Sequence, residues 1–213
     1  MTAFELTSPG GFARPRAADL VVYLHGFRSS SRSVKAQKVI EEFSAAGLGS
    51  QLWVPDLPPS PAQALRVVSS AVASRLDSRP DTRLAFVGSS LGGYYATVLG
   101  ERHPQADVLL LNPAVHPYND LLDQIGKKKV YFTEEEFEFV PAYLEELRAM
   151  EQTGLTNPTR YFLVAAQGDE VLSYSTMLGR YPGVHQLRLL GSDHAIADFD
   201  AHWPLMRLFL GLL

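Results

Sequence analysis

Short apolar runs alternate along the chain with segments in which apolar residues recur at helical spacing. Such runs cover residues 20–24, 52–54, 84–87, 108–111, 161–164 and 187–190. Continuous apolar strands that alternate with helices are typical of a parallel sheet with helices on both faces. The pattern therefore predicts an α/β protein, with a functional site at the carboxyl ends of the strands.

The segments between these runs carry signals for helix ends. Ser33 is placed to cap the first helix, and Gly47 to end it in the left-handed conformation. Pro61 suits the first turn of the second helix. The last helix is predicted to begin near Asp198 or Asp200. Residues 1–19 precede the pattern, and they either add an edge strand or remain loose.

One connection is much longer than a usual crossover, because about 45 residues separate the fourth predicted strand from the fifth. Residues 133–150 have a helical pattern and are acidic. One face of this segment carries four apolar residues: Phe137, Val140, Leu144 and Leu147. We interpret the chain as a single domain, residues 1–213, with a small helical lid at about 116–159. The apolar face either lines an acyl pocket or only packs on the domain.

Composition narrows the classes of function. The chain has 213 residues, of which 46% are hydrophobic and 20% charged, as in soluble globular domains. The formal net charge is −4, and the longest basic run is the three lysines at 127–129, which argues against a nucleic-acid partner. No apolar run approaches the roughly 20 residues of a membrane helix, so no membrane span is predicted.

The absence of cysteine removes several kinds of chemistry. It excludes disulfides, thiolate metal sites and a cysteine nucleophile, and it fits a reducing cytoplasm. The glycine motifs of nucleotide-binding loops and the ligand spacings of zinc sites are missing as well. We therefore expect no cofactor and no metal.

Residues 88–93 read GSSLGG and contain the pattern G-x-S-x-G with Ser90 at its centre. Alone the pattern is weak evidence, because glycine and serine are common residues. Here it follows the third predicted strand and precedes a helical run at 94–102, which is the setting of a nucleophile elbow in α/β-hydrolases. The alternative is a glycine-rich turn with a solvated serine. The context favours Ser90 as the nucleophile.

A serine hydroxyl needs a base that accepts its proton. In α/β-hydrolases the base follows both the nucleophile and the acid in the sequence. Five of the six histidines fail on order or on position: His25, His103, His116, His185 and His202. His194 follows the last predicted strand at the carboxyl edge of the sheet, so it is the predicted base.

The base needs a carboxylate that holds its other ring nitrogen. Asp169 comes directly after the fifth predicted strand and is the preferred candidate. Asp120 and Asp123 follow the fourth strand, where some enzymes of this fold place the acid, and Glu170 is adjacent to Asp169. These three carboxylates remain alternatives.

An acyl-transfer site also needs two backbone donors for the oxyanion. One is expected at Leu91, the residue after the nucleophile, and the other at Phe27 in the loop after the first strand. His25, in the same loop, is interpreted as a structural hydrogen-bonding residue. Phe27 is also expected to contact substrate, together with Tyr94, Phe137 and Leu144.

Six segments in order resemble the YqiA-type esterases of bacteria. The segments are YLHGF (23–27), LPP (57–59), GSSLGGYYAT (88–97), LNPAV (111–115), GDEVL (168–172) and DHA (193–195). The resemblance runs from about residue 20 to residue 212. It implies an α/β-hydrolase fold and a cytoplasmic enzyme, without a metal, that acts on carboxylic esters or acyl thioesters. It also implies Ser90, Asp169 and His194 as nucleophile, acid and base.

Two other functions remain open at this point. The same triad cleaves amides, so an amidase or peptidase is the alternative within the enzymes. A catalytically silent hydrolase fold that binds a ligand or a protein is the alternative outside them. The expected partner is a small-molecule acyl ester or thioester.

Overall fold

The centre of the molecule is a single large sheet. A computed structural model of the chain describes residues 3–15, 17–131 and 133–212. Its strands are β1 (Phe4–Thr7), β2 (Leu20–Leu24), β3 (Leu52–Trp53), β4 (Leu84–Ser89), β5 (Asp107–Leu111), β6 (Gly126–Lys129), β7 (Glu136–Phe139), β8 (Tyr161–Ala166) and β9 (His185–Leu189). Seven of them form one sheet in the order β1-β9-β8-β5-β4-β2-β3, and β6 pairs with β7 in a separate hairpin.

The large sheet is parallel except at one edge. β2, β3, β4, β5, β8 and β9 run parallel, with β4 and β5 at the centre. β1 pairs antiparallel with β9 from Phe4 opposite Leu189 to Thr7 opposite Gln186. Residues 4–7 therefore add an edge strand, the first of the two outcomes that the sequence left open for this segment. The prediction of a mostly parallel sheet is confirmed.

Helices cover both faces of the sheet, as predicted. They are α1 (Val34–Ala45), α2 (Pro61–Ser78), α3 (Leu91–Arg102), α4 (Pro117–Asp120), α5 (Pro141–Ala149), α6 (Tyr174–Arg180) and α7 (Phe199–Leu210). One apolar cluster joins one face of the sheet to α2, α3, α5 and α6. A second cluster joins the other face to α1 and α7. The strands between the clusters are buried on both faces, which explains their continuous apolar sequence.

The predicted helix signals are largely confirmed. The Ser33 hydroxyl accepts a hydrogen bond from the Ala36 N–H at 3.4 Å, and so caps α1. Gly47 follows that helix with a φ of +71°, the left-handed conformation expected of it. Pro61 is the first residue of α2. Asp198 precedes the first residue of α7.

The segment predicted to be a helical lid differs from its prediction. Residues 136–139 form strand β7, not a helix, and the helix α5 begins only at Pro141. Proline disfavours helical backbone in the residue before it, so a continuous helix across Val140 is unfavourable. Phe137 and Phe139 alternate with glutamates, which is the period of a strand. That alternation was the signal for a hairpin, and the helical interpretation of 133–140 was wrong.

Candidate active site

Ser90 stands in a sharp turn between β4 and α3, with φ of 56° and ψ of −121°. This backbone is strained for a residue with a side chain, and such strain is typical of a nucleophile elbow. The neighbouring glycines leave no room for side chains. A Cβ on Gly92 would lie 1.9 Å from the Leu24 carbonyl oxygen, and one on Gly88 would lie 2.2 Å from that of Gly92. The strand, turn and helix predicted around Ser90 are therefore present.

Asp169 and His194 meet at the carboxyl edge of the same sheet. The Asp169 Oδ2 lies 2.8 Å from the His194 Nδ1, and the Asp169 side chain is fully buried. Its other oxygen, Oδ1, accepts from the N–H groups of Val171 at 2.8 Å and Leu172 at 2.7 Å. Burial acts to raise the pKa of Asp169, but the hydrogen bonds from His194 and from these N–H groups outweigh it and lower the pKa. The carboxylate is therefore ionised at neutral pH.

The other carboxylates considered for this position lie elsewhere. Glu170 accepts a hydrogen bond from the backbone N–H of His194 at 3.1 Å, so it holds the main chain of that residue and not the ring. Asp120 lines a different cavity, beside His116. Asp123 hydrogen-bonds to the neighbouring Gln124 in an exposed turn. None of the three carboxylates is hydrogen-bonded to the imidazole of His194.

Other histidines have structural hydrogen-bond partners. The His25 Nδ1 donates to the Gly26 carbonyl at 2.9 Å, and its Nε2 accepts from the Leu57 N–H at 2.9 Å. Burial lowers the pKa of His25, which agrees with a neutral ring. The interpretation of His25 as a structural hydrogen-bonding residue is therefore confirmed. His185 hydrogen-bonds at the amino end of β9, and His202 in α7 bonds to Asp198, which precedes that helix.

The loop after β2 lies directly against the elbow. A Cβ on Gly26 would lie 3.2 Å from the Cβ of Ser90 and 3.6 Å from its Oγ. The Leu91 N–H is in the first turn of α3, where N–H groups have no acceptor within the helix. Among the described residues, no backbone hydrogen bond outside the regular elements uses the N–H of Phe27 or Leu91. Both groups are thus available to a ligand oxygen.

The hairpin β6–β7 braces this loop. The Arg28 carbonyl accepts from the Tyr131 N–H at 2.6 Å, and the Arg28 Nε donates to the Lys129 carbonyl at 2.9 Å. The Arg28 guanidinium also lies 4.5 Å from the centre of the Tyr131 ring. Next to it, the Phe27 ring packs edge-on against Phe139 at a centroid distance of 5.0 Å. The insertion therefore fixes the loop that neighbours Ser90.

Two cavities flank this loop. One, of about 370 Å³, contains both Ser90 and His194. Its walls are largely apolar and include Phe27, Val34, Tyr131, Ile196 and Phe199. The other, of about 560 Å³, is lined by Phe27, Leu91 and Phe137 together with polar residues that include Arg28, Arg32, Asp56 and Gln63. Phe27 belongs to both cavities.

Two expected substrate contacts are placed away from these cavities. Tyr94 is buried, and its hydroxyl donates to the Leu147 carbonyl at 2.7 Å. Leu144 is buried on α5. Neither residue lines the cavity at Ser90 or the larger one beside it, so their assignment as substrate contacts is withdrawn. On α5 the apolar face packs on the domain, whereas Phe137 of the hairpin lines a cavity.

Comparison with known families identifies the chain. The model of a family described as "Uncharacterised protein family (UPF0227)" matches residues 20–211. The chain belongs to the UPF0227 family. The matched range contains Ser90, Asp169 and His194 and leaves out β1.

This UPF0227 protein also resembles solved structures over nearly its whole length. A protein of Agrobacterium vitis S4 matches with a TM-score of 0.65 and 18% identity, over 99% of this chain and 98% of that one. The α/β-hydrolase domain-containing protein 10 of mouse matches with a TM-score of 0.61 and 17% identity, over 96% of each chain. Est1E of Butyrivibrio proteoclasticus with bound ferulic acid matches with a TM-score of 0.61 and 13% identity, over 98% of this chain and 92% of that one. The protein has the α/β-hydrolase fold.

The described ranges hold neither a membrane-spanning helix nor a metal-binding cluster. No helix there is long and apolar enough to cross a membrane. No group of three or more histidine, aspartate or glutamate side chains there is arranged to hold a metal ion.

Sequence reasoning missed Lys35, which lies on α1 beside His194 of this UPF0227 protein. Its Nζ donates to the His194 carbonyl at 3.1 Å, and it lines the cavity that contains Ser90. Burial lowers the pKa of Lys35 to about 8, although Asp169, Asp193 and Glu170 act to raise it. No local pattern marks this lysine, because its partners are more than a hundred residues away in the sequence.

We expect Lys35→Met to raise the free energy of unfolding at pH 7, by no more than about 3 kcal/mol. A lysine with a lowered pKa destabilises the fold while it is charged in both states. From about pH 8 to 10.5 the folded protein releases this proton first, so the stability of the unmodified protein rises. The advantage of Lys35→Met should shrink over this range. Chemical denaturation at several pH values measures the difference in the free energy of unfolding between the two proteins, with Lys38→Met as the control. A difference that does not change with pH would contradict the prediction.

Proposed function

We propose that this protein is a serine hydrolase that cleaves carboxylic esters, including acyl thioesters, through an acyl-enzyme on Ser90. The observation that carries the proposal is the 2.8 Å contact between Asp169 and His194, with His194 and the strained Ser90 lining one cavity. A buried carboxylate, an imidazole and an elbow serine at one sheet edge are the parts that acyl transfer requires.

In the first step the Ser90 Oγ attacks the substrate carbonyl carbon, and its proton passes to the His194 Nε2. Asp169 holds the Nδ1 proton, so Nε2 is free of hydrogen and can act as the base. As the tetrahedral intermediate collapses, His194 gives the proton to the leaving oxygen or sulfur, and the acyl group stays on Ser90. A water molecule then repeats the sequence, and the carboxylic acid is released.

The intermediate carries a negative charge on the former carbonyl oxygen. The backbone N–H groups of Phe27 and Leu91 stabilise this oxyanion, and each such donor typically contributes about 3 kcal/mol in the transition state. The contacts of Arg28 with Lys129 and Tyr131 keep the Phe27 donor in place before substrate arrives. A donor that is already oriented needs no rearrangement during the reaction, which increases its effect.

The cavities suggest how the substrate is recognised. The apolar cavity at Ser90 favours a hydrophobic group next to the reacting carbonyl, with Phe27 as one wall. Phe137 extends the contact surface on the other side of the loop. The bound ferulic acid of Est1E, a protein with the same fold, agrees with a small carboxylic acid as one half of the substrate. The resemblance to YqiA-type esterases points in the same direction.

The experiment that tests the function compares three substrates with one acyl group. These are an aryl ester, an alkyl thioester and an anilide, assayed with the purified full chain. We expect turnover of the ester and the thioester, and one fluorophosphonate adduct per chain, located on Ser90 by peptide mass analysis. Preferred cleavage of the anilide would favour an amidase. Absence of both turnover and adduct would favour a silent hydrolase fold that binds a ligand.

A further inference from the structure

The end of β5 and the loop after it hold both polar backbone groups of Ser90. The Ser90 N–H donates to the Leu111 carbonyl at 3.0 Å, and the Ser90 carbonyl accepts from the Ala114 N–H at 2.9 Å. Pro113 packs so closely on the elbow that a Cβ on Gly93 would lie 2.6 Å from the Pro113 Cβ. The position of Ser90 therefore depends directly on residues 111–114.

Asn112, in the middle of this loop, reaches the base. Its Nδ2 donates to the Asp193 carbonyl at 3.0 Å and to the His194 carbonyl at 3.1 Å. Its Oδ1 accepts from the N–H of Ala166 at 2.8 Å, at the end of the strand that leads to Asp169. One side chain thus connects the segments that carry the base and the acid to the loop that fixes Ser90.

The surroundings of Asn112 require an asparagine. The side chain is fully buried, and its acceptor faces an N–H while its two donors face two carbonyl oxygens. Aspartate would place an oxygen against those carbonyls, and an apolar residue would leave all three backbone groups without this partner. The backbone φ of +44° is also one that asparagine tolerates better than most residues.

We propose that Asn112 is the positioning residue that sets the distance between Ser90 and His194. This inference rests on the proposed function, which gives that distance its importance. Asn112 does not touch substrate, and it acts through the carbonyls of Asp193 and His194. Lys35 and Glu170 also bond to the main chain of His194, but they come from α1 and from the acid loop, and neither is in the loop that holds Ser90.

The test uses Asn112→Gly and Asn112→Asp. Glycine accepts a positive φ without strain, so the first variant removes the side chain without adding backbone strain. Aspartate keeps the shape of the side chain and replaces the Nδ2 donor by an oxygen. We expect kcat for the ester to fall about 100-fold in both variants, with KM within about threefold, because a displacement of about 1 Å between reacting groups has this effect.

The control is Gln186→Ala, which removes another buried amide that bonds to a backbone carbonyl, near the amino end of β9. It should lower Tm and leave kcat within about twofold, assayed well below the Tm of every variant. A loss of kcat in the control equal to that in Asn112→Gly would show a general effect of stability. Unchanged kcat in the folded Asn112 variants would overturn the proposal.

A second readout does not depend on turnover. In proteins with isotope-labelled histidine, the signals of His194 are assigned by their loss in His194→Gln. We expect one tautomer, protonated at Nδ1, in the unmodified protein and a mixture of tautomers in Asn112→Gly. Identical His194 spectra would overturn the positioning role. If the unmodified protein neither turns over esters nor labels, the proposed function fails, and the spectra still decide whether Asn112 orients His194.

Discussion

Replacing Ser90 by alanine is expected to lower kcat for ester hydrolysis by about a million-fold. The variant keeps the cavity, the Asp169–His194 pair and the N–H groups of Phe27 and Leu91, but water must attack the ester directly. A residual rate above that of water alone should remain, because the oxyanion donors and the bound substrate geometry are unchanged. Ser90 already has a φ of 56°, and alanine adds no side-chain bulk there, so the fold should persist.

The measurement is the single-turnover rate with an aryl ester, together with circular dichroism at the same temperature. Ser78→Ala, which removes an exposed hydroxyl at the end of α2, serves as the control and should keep full activity. Activity of Ser90→Ala within tenfold of the unmodified protein would exclude an acyl-enzyme on this residue.

Replacing Asp169 by asparagine should lower kcat by about 10⁴-fold with little change in KM. The Oδ1 of Asp169 accepts two backbone N–H bonds, so the asparagine oxygen will take that position and its NH₂ group will face His194. The imidazole must then accept at Nδ1 and carry its proton on Nε2. A protonated Nε2 cannot receive the proton of Ser90.

Glu170→Gln provides the comparison for this prediction. Glu170 bonds to the His194 backbone N–H, and glutamine retains an acceptor oxygen there. We expect its kcat to fall less than tenfold. A larger loss in Glu170→Gln than in Asp169→Asn would transfer the role of the orienting acid from Asp169 to Glu170.

The sequence predicted the sheet edge at which Ser90, Asp169 and His194 are found, because each follows an apolar strand. Parallel strands bring their carboxyl ends to one edge, so the local pattern was enough to place these residues together. Asn112 and Lys35 could not be found in this way. Their importance lies in contacts with His194, at the far end of the chain. Lys35 stands in no motif, and the LNPAV segment that contains Asn112 gave that residue no role.

The β6–β7 hairpin shows a different limit of prediction from the sequence pattern. Phe137, Val140, Leu144 and Leu147 fit helical spacing, yet the first of them belongs to β7 and the last two to α5. Two short elements in succession produced a combined spacing that neither has alone. The alternation of glutamate and phenylalanine before Pro141 was the better guide, because proline separates the two elements.

The edge strand β1 has a consequence for the behaviour of the molecule in concentrated solution. It comes from residues that precede the family match and covers the open side of β9, the strand that leads toward His194. Without β1, β9 would present a row of unpaired N–H and C=O groups, and another chain could add a strand there. β1 takes that pairing and becomes the edge of the sheet itself, with only four residues, and a short edge strand gives another chain little to pair with.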